Sequence, residues 1–435
     1  MDPARGSWNS FQRAMLQWNA LYPYNAVHVL RFPGALDQER LKAAVNSVVE
    51  RRGLTGFRPE PDRRHYCYNG GPMTGFINRL PVEGDDPVPL IRAIETQLNT
   101  PFEFAIPGDP FRFVAAADAD GAWLALVYFH PIADAEAIVR LLRDIATVYE
   151  NPGALDALPP WNRFPGNHDL ALLRRPVLLL RWLGGLPAAI RTARASHRPV
   201  YRDTADQRNG FRFFALPPDT LPRLLAAAKS WGVTLNDVFL AAILLAMSPL
   251  AEARFLAPRR RLLSVASIVN TRREFAADNR DDFGLALGSF RIAHEVPPGS
   301  RLDQLARAVQ AQTECAKRSR SFLATPLQLA VARWLFARST PARRRKFYLK
   351  NQPLCAGLTN LNLNPRWETR EGGVPPDYFR AVSTGPATPL VFSTTTAGER
   401  LNVGVSFRAT VFLNAEVERM QDVFQHLLTN VDPTE

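Results

Sequence analysis

An unbroken apolar octet, AWLALVYF over 122–129, runs straight into His130 and from there into an amphipathic helix. A run that is apolar on both of its faces suits a strand buried within a covered sheet. The helix expected from about Ala135 to Tyr149 carries Ile138, Leu141, Leu142, Ile145 and Val148 along one side, the spacing of a face packed onto a neighbour. A buried strand feeding a one-faced helix belongs to a layered α/β architecture.

The same alternation recurs along the chain. Residues 26–32 read as a strand, followed by a helix with Asp37 as N-cap and a stripe of Leu41, Ala44, Val45 and Val48. Residues 88–99 read as helix, and 111–116 as a strand joined to 122–129 by an ADADG turn. The turn-rich segment 150–168 reads as a domain edge. Residues 169–195 are hydrophobic and basic, and Pro176, Gly184, Gly185 and Pro187 divide them into two short helical pieces of a linker. A second unit starts near Phe211. It holds a helix over 221–229 and a helix capped by Thr234 with Asp237 closing a capping box. Strands follow at 262–268 and 285–296, a helix at 301–317, strands near 389–394 and 401–407, and a helix from about Ala415 to Thr429. A chain of 435 residues exceeds the usual span of one core. The expected division is 1–165, a linker over 166–210, and 211–435.

Composition narrows the function classes. The first residues, MDPARGSWNS, hold no apolar core of a signal peptide. The longest apolar run, Val238 to Met247, is too short to span a bilayer. Cys67, Cys315 and Cys355 are odd in number and far apart, which argues for neither a disulfide framework nor a zinc site and fits a reducing cytosol. The expected location is therefore cytoplasmic, with no metal. Net charge is +12, and it is concentrated: residues 170–202 and 315–367 contain no Asp or Glu. Such stretches attract an acidic carrier protein, the phosphates of coenzyme A, or the anionic inner face of a membrane at which the protein sits peripherally. The chain lacks zinc-finger spacing, RNA-binding sheet motifs and basic–aromatic interleaving, so nucleic acid is not an expected partner.

The chemistry concentrates at His130-Pro131-Ile132-Ala133-Asp134, where the buried strand ends. An unperturbed imidazole titrates near pH ~6.5 and is largely neutral at pH 7, so it accepts a proton from an attacking alcohol or amine. Thioester carbonyls are activated already, and neither a metal nor a covalent acyl-enzyme is needed. Asp134 also suits the N-cap of the following helix.

This segment, YFHPIADAEAIVRLLRDIATVYEN, resembles the HHxxxDG signature of the chloramphenicol-acetyltransferase-like superfamily, which includes condensation domains, wax ester synthase-like enzymes and polyketide-associated acyltransferases. Further pieces follow in that family's order. SFQRAML with Gln12 resembles its N-terminal helix, VTLNDVFLAAIL its Asn-Asp-Val helix, Asn270-Thr271-Arg272 and the glycines of DDFGLALGSF its Asn-x-Arg strand, and LTNLN its Ser-Asn segment. Phe129 stands in place of the first His, Pro131 follows His130 directly, and Ala135 replaces Gly.

The resemblance implies two similar α/β domains forming a V with a central channel, His130 as general base, and a structural Asp134 ion-paired with Arg272. It implies Thr359 and Asn360 as substrate-binding residues that polarise the thioester carbonyl or orient substrate. It implies an acyl-CoA or phosphopantetheine-linked donor as substrate, no tightly bound cofactor, and a monomer. Three functions follow: acyl transfer to a hydroxyl or amine in lipid, polyketide or nonribosomal peptide metabolism; amide formation by a stand-alone condensation enzyme; or a non-catalytic scaffold of the same fold.

Overall fold

The structure is a computed structural model that describes residues 4–62, 64–73, 77–80, 87–104, 108–117, 121–161, 163–164, 175–257, 259–274, 281–367 and 376–431. The expected 118–120 turn and His168 lie outside the described residues. So does the expected boundary near 165.

The N-terminal part runs β1 (Ala4–Ser7), α1 (Ser10–Asn19), β2 (Asn25–Pro33), α2 (Gln38–Arg51), β3 (Phe57–Pro59), β4 (His65–Tyr68), β5 (Ile77–Leu80), α3 (Val88–Asn99), β6 (Phe111–Ala117), β7 (Gly121–Phe129) and α4 (Ala135–Glu150). It continues with α5 (Pro176–Ala195), β8 (Asn209–Ala215), α6 (Thr220–Trp231), α7 (Leu235–Met247), β9 (Leu263–Asn270), β10 (Leu287–His294) and α8 (Leu302–Arg318). The last part is α9 (Thr325–Ala337), α10 (Pro341–Asn351), β11 (Ala356–Asn362), β12 (Tyr378–Val382), β13 (Leu390–Ala397), β14 (Arg400–Arg408) and α11 (Asn414–Thr429).

These elements form two compact units that are not consecutive in sequence. The first takes Met1–Asp169, Asn270–Leu287 and Asn362–Ser383; the second takes Leu170–Val269, Gly288–Leu361 and Thr384–Glu435. In the first unit a five-stranded sheet has the order β12-β2-β7-β6-β5. Its central strand is β7, antiparallel to β2 on one side and to β6 on the other. That placement explains the apolar octet: Leu124 to Val127 are fully buried. Strand β12, which pairs antiparallel with β2, reaches this sheet from far along the chain. The α2 stripe of Leu41, Ala44, Val45 and Val48 is buried, as are Ile138, Leu141, Leu142 and Ile145 of α4.

The second unit holds a six-stranded sheet, β10-β9-β11-β13-β14-β8. Helix α7 lies in its core, with Val238 through Leu244 buried on every side, as an all-round apolar helix requires. The expected capping box forms: Thr234 Oγ1 accepts from the Asp237 N–H, and Asp237 accepts from the Thr234 N–H. Asp237 also accepts from the Thr313 hydroxyl of α8 at 2.7 Å. Among the described residues no single helix is long and apolar enough to cross a membrane.

One expectation is corrected here. Residues 176–195 are one continuous 20-residue helix rather than two short pieces. The helix runs through Pro187, which forfeits the bond that its missing N–H would donate one turn back and crowds the carbonyl there with its ring. Leu178, Leu179, Trp182 and Leu186 are half-buried along one side.

Gly121 opens β7 where the strand leaves no room. A Cβ there would lie 2.5 Å from the Phe32 carbonyl oxygen, a backbone atom that cannot rotate away. Gly121→Ala should therefore destabilise the protein by about 1–3 kcal/mol, read as a lower urea midpoint with unchanged slope.

Candidate active site

His130 begins a short 3₁₀ turn, His130–Ile132, that joins β7 to α4. The register of β7 against β2 ends at Phe129 opposite Asn25. The Phe129 ring packs against Phe57, Phe102 and Phe104 at 6.2, 6.1 and 5.1 Å. The His130 ring instead stacks on Tyr24, with centroids 5.4 Å apart at 17°, and meets Tyr128 edge-on at 5.5 Å. Phe129 thus fills an aromatic cluster, and no ionisable group is called for at its position.

Only 7% of His130 is exposed. Its Nδ1 lies 3.2 Å from the Ala133 carbonyl oxygen. A carbonyl only accepts, so Nδ1 carries the hydrogen and Nε2 is left with its lone pair. Burial pushes the imidazole pKa down to about 4; the Ala133 carbonyl and the Asp134 carboxylate offset part of that, and Arg380 adds to it. The ring is neutral throughout the physiological range.

Asp134 is 1% exposed and saturated with donors. Its Oδ1 accepts from the Ala137 N–H at 3.0 Å, the N-cap bond of α4. Its Oδ2 accepts from the Ala286 N–H at 2.9 Å. Arg272 Nη2 donates to both oxygens at 2.9 and 3.0 Å. Arg272 is buried too, and it donates to the Gly284 and Asp282 carbonyls at 2.9 and 2.7 Å. The Asp134 N–H donates to the same Gly284 carbonyl at 3.1 Å. Gly284 sits at φ +152°, a backbone geometry that favours glycine. The structure therefore brings His130, Asp134 and Arg272 together within the first unit, and the carboxylate has its oxygens committed to protein donors.

Three further contacts hold the loop. Gln12 of α1 is buried, and its Nε2 donates to the Pro131 carbonyl at 2.9 Å. Gln12 is itself locked by a reciprocal capping box with Asn9 at 2.9 Å each way, and Asn9 donates to the Leu285 carbonyl at 3.0 Å. Along α4, Glu136 pairs with Arg366 at 2.5 Å and Arg140 with Asp281 at 3.0 Å. The helix is thereby tied to both segments that return late in the sequence.

Beyond these lies a buried group that sequence reasoning did not find. His28 of β2 faces Arg380 of β12 in register, and its Nδ1 lies 2.6 Å from the Tyr378 hydroxyl. Burial, then Arg380 and His130, holds the His28 pKa well below its usual value. Arg380 is 1% exposed, and burial lowers its own pKa to about 10. The alternation in YFRAV signals a strand, but its partner strand cannot be read from it.

Thr359 and Asn360 lie on β11 in the second unit. Asn360 Oδ1 accepts from the Thr394 hydroxyl at 3.0 Å; Thr359 is half-buried. Elsewhere in the first unit, Glu60, Asp62 and His65 bring ligand-type atoms within 4.8 Å of one another. Arg5 already holds both Glu60 oxygens at 2.8 and 2.6 Å, so this cluster carries its own cation.

Two outcomes follow from the geometry. Arg272→Met leaves a buried carboxylate without its counter-charge and should cost about 3–5 kcal/mol. Adding Asp134→Asn, which removes that charge but still caps α4, should recover part of the loss in urea unfolding; strict additivity would contradict the coupling. Separately, unfolded His130 binds a proton between pH 6.5 and about 4 while the folded ring does not. Stability should therefore fall as pH drops through that window, by about 3 kcal/mol from this group. His28 acts in the same direction. His130→Ala should flatten the slope accordingly.

No family model matches the chain, and no curated protein matches it. Solved structures match it over nearly its whole length. The cyclization-docking bidomain of the EpoB nonribosomal peptide synthetase from Sorangium cellulosum aligns with a TM-score of 0.71 and 16% identity, over 98% of this chain and 85% of that one. The first condensation domain of the calcium-dependent antibiotic synthetase aligns at 0.69 and 18% identity, covering 98% and 97%. Polyketide synthase associated protein 5 from Mycobacterium tuberculosis aligns at 0.62 and 13% identity, covering 98% and 99%. At these identities the likeness is one of fold, and the fold is the α/β architecture of condensation domains and their chloramphenicol-acetyltransferase-like relatives.

Proposed function

We propose that this chain is a stand-alone condensation-type acyltransferase that forms an amide, with His130 as general base. The observation that carries this reading is the imidazole tautomer. With the Nδ1 hydrogen committed to the Ala133 carbonyl, Nε2 is the one ring nitrogen able to accept a proton.

In the proposed reaction an acceptor amine attacks the carbonyl carbon of a thioester. The N–H proton moves to Nε2 as the C–N bond forms. Collapse of the tetrahedral intermediate breaks the C–S bond, and the imidazolium returns its proton to the leaving thiolate. Atoms and charge balance without a metal or redox partner. Asp134 and Arg272 are positioning residues in this scheme: they hold the loop that presents the ring and touch no reacting atom. For Thr359 and Asn360 we propose contacts to substrate.

The matched structures favour a carrier-bound donor, since they include synthetase domains that condense, cyclise or epimerise. The donor is then an acyl group on the phosphopantetheine arm of an acidic carrier protein. A second reading is ester formation from acyl-CoA or a carrier-bound donor, with an alcohol in place of the amine.

The test is a matrix of acyl donors, on coenzyme A and on carrier protein, against amine and alcohol acceptors, with thiol release and product mass as readouts. Wild type should form amide from carrier-bound donor, and His130→Ala should lose about 10²–10⁴ in rate. The acid limb of the rate profile should fall near pH 4, following the imidazole, with no loss of rate through neutral pH from that group. Ester products would select the second reading. Turnover indifferent to His130 would remove the mechanism, and donor binding without any turnover would make the chain a scaffold.

A further inference from the structure

Helix α5 presents a physical contradiction. Its sequence, PVLLLRWLGGLPAAIRTARA, is apolar around most of its circumference, and such a helix normally lies inside a core. Yet none of its residues is buried. Val177, Leu180 and Ile190 are 60%, 69% and 50% exposed. At 20 residues it presents a strip about 30 Å long. An apolar surface of that kind marks an interaction site.

Charge identifies what covers it. The charged residues of the helix are all arginines, and residues 170–202 contain no Asp or Glu. At the start of the helix, Arg175, Arg181, Arg318 and Arg320 surround a cleft of about 390 Å³ floored by Val177 and Leu178. Arg318 and Arg320 come from the end of α8 and the turn after it, inside the second acid-free stretch, 315–367. Arg318 also lies 3.8 Å from Glu314, and a covering phase that offers negative charge to the exposed Arg181 and Arg191 and hydrocarbon to the side chains between them fits both features. An anionic lipid surface supplies both, with headgroups for the guanidinium groups and acyl chains for leucine and isoleucine. Arg181, Arg191 and Arg194 are spread along the helix, which fits a helix lying in the interface plane rather than across it. Arginine also suits such a boundary, because its stem is apolar and its head stays charged.

We infer that α5, with Arg318 and Arg320, is an interfacial element that adsorbs the second unit onto an anionic bilayer. This inference is independent of the amide-forming reading and stands whether or not His130 is catalytic.

The experiment is co-sedimentation with vesicles of equal parts phosphatidylcholine and phosphatidylglycerol, against vesicles of phosphatidylcholine alone, at ~0.15 M salt. Wild type should partition to the anionic vesicles. Leu180→Ser with Ile190→Ser keeps the charge but removes hydrocarbon, and should weaken partition about tenfold. Arg181→Gln with Arg191→Gln should weaken it similarly. Arg400→Gln with Arg419→Gln removes the same charge from exposed positions on β14 and α11 and should change it less than twofold. The serine positions are exposed, so circular dichroism should show the fold retained, and hydrogen exchange on wild type should show 176–195 protected by anionic vesicles. Equal loss in both arginine pairs would reduce the effect to net charge and overturn the inference. So would serine variants that bind like wild type. Absence of vesicle binding, with α5 protected instead by an acidic carrier protein, would assign the face to a protein partner.

Discussion

The carboxylate of Asp134 is the point on which the first unit depends. It is almost wholly buried, and a buried charge is tolerated only when it is paired and hydrogen-bonded. Here the donors come from two stretches of chain: the first turn of α4 and the segment 270–287, through Arg272 and the Ala286 N–H. Neither stretch can shift without stranding the charge. The three-residue turn ahead of Asp134 inherits that rigidity, and Gln12 clamps it from α1. The His130 ring is presented by a loop whose far end is fixed electrostatically and whose near end is the last residue of the central strand.

Burial sets the character of His130. A ring stacked on Tyr24 and met edge-on by Tyr128, near the buried Arg380, pays heavily to become charged, and its pKa falls accordingly. It is uncharged at neutral pH, with the Nε2 lone pair free of a proton, at the expense of basicity. A thioester fits such a base, because the electrophile is activated by its own leaving group. The Phe129 substitution reads differently once the side chains are placed. Its ring completes a cluster with Phe57, Phe102 and Phe104, so packing accounts for it without reference to chemistry.

The second unit shows how little composition says about the fate of a helix. Helices α5 and α7 are both rich in leucine and alanine. In α7 the apolar run is unbroken and the core encloses it. In α5 arginines interrupt the run, and each would need a buried counter-charge that residues 170–202 do not contain. No residue of α5 is fully buried: Leu178, Leu179 and Leu186 are half-buried, and Leu180 and Leu183 are exposed.

Much of this was legible in the sequence, where the signal was local. The apolar octet identified a central strand, period 3.6 identified α2 and α4, and capping chemistry placed Asp37, Asp134 and Thr234 at helix starts. Each rests on residues within a few positions of one another, so spacing alone expresses the physics. The proximity of Arg272 to Asp134 came from a resemblance and not from the residues, since 138 positions separate them. Residues 176–195 read as two pieces because proline and paired glycines weaken a helix locally, and their continuity as α5 is visible only in the structure. What the tertiary structure alone decided is non-local: the return of 270–287 and 362–383 to the first unit, the pairing of β12 with β2 that buries Arg380 beside His28, and the stacking of His130 on Tyr24. Each depends on which distant chain segment arrives at a given edge. That choice is made by the summed burial of whole elements, which no short window of sequence contains.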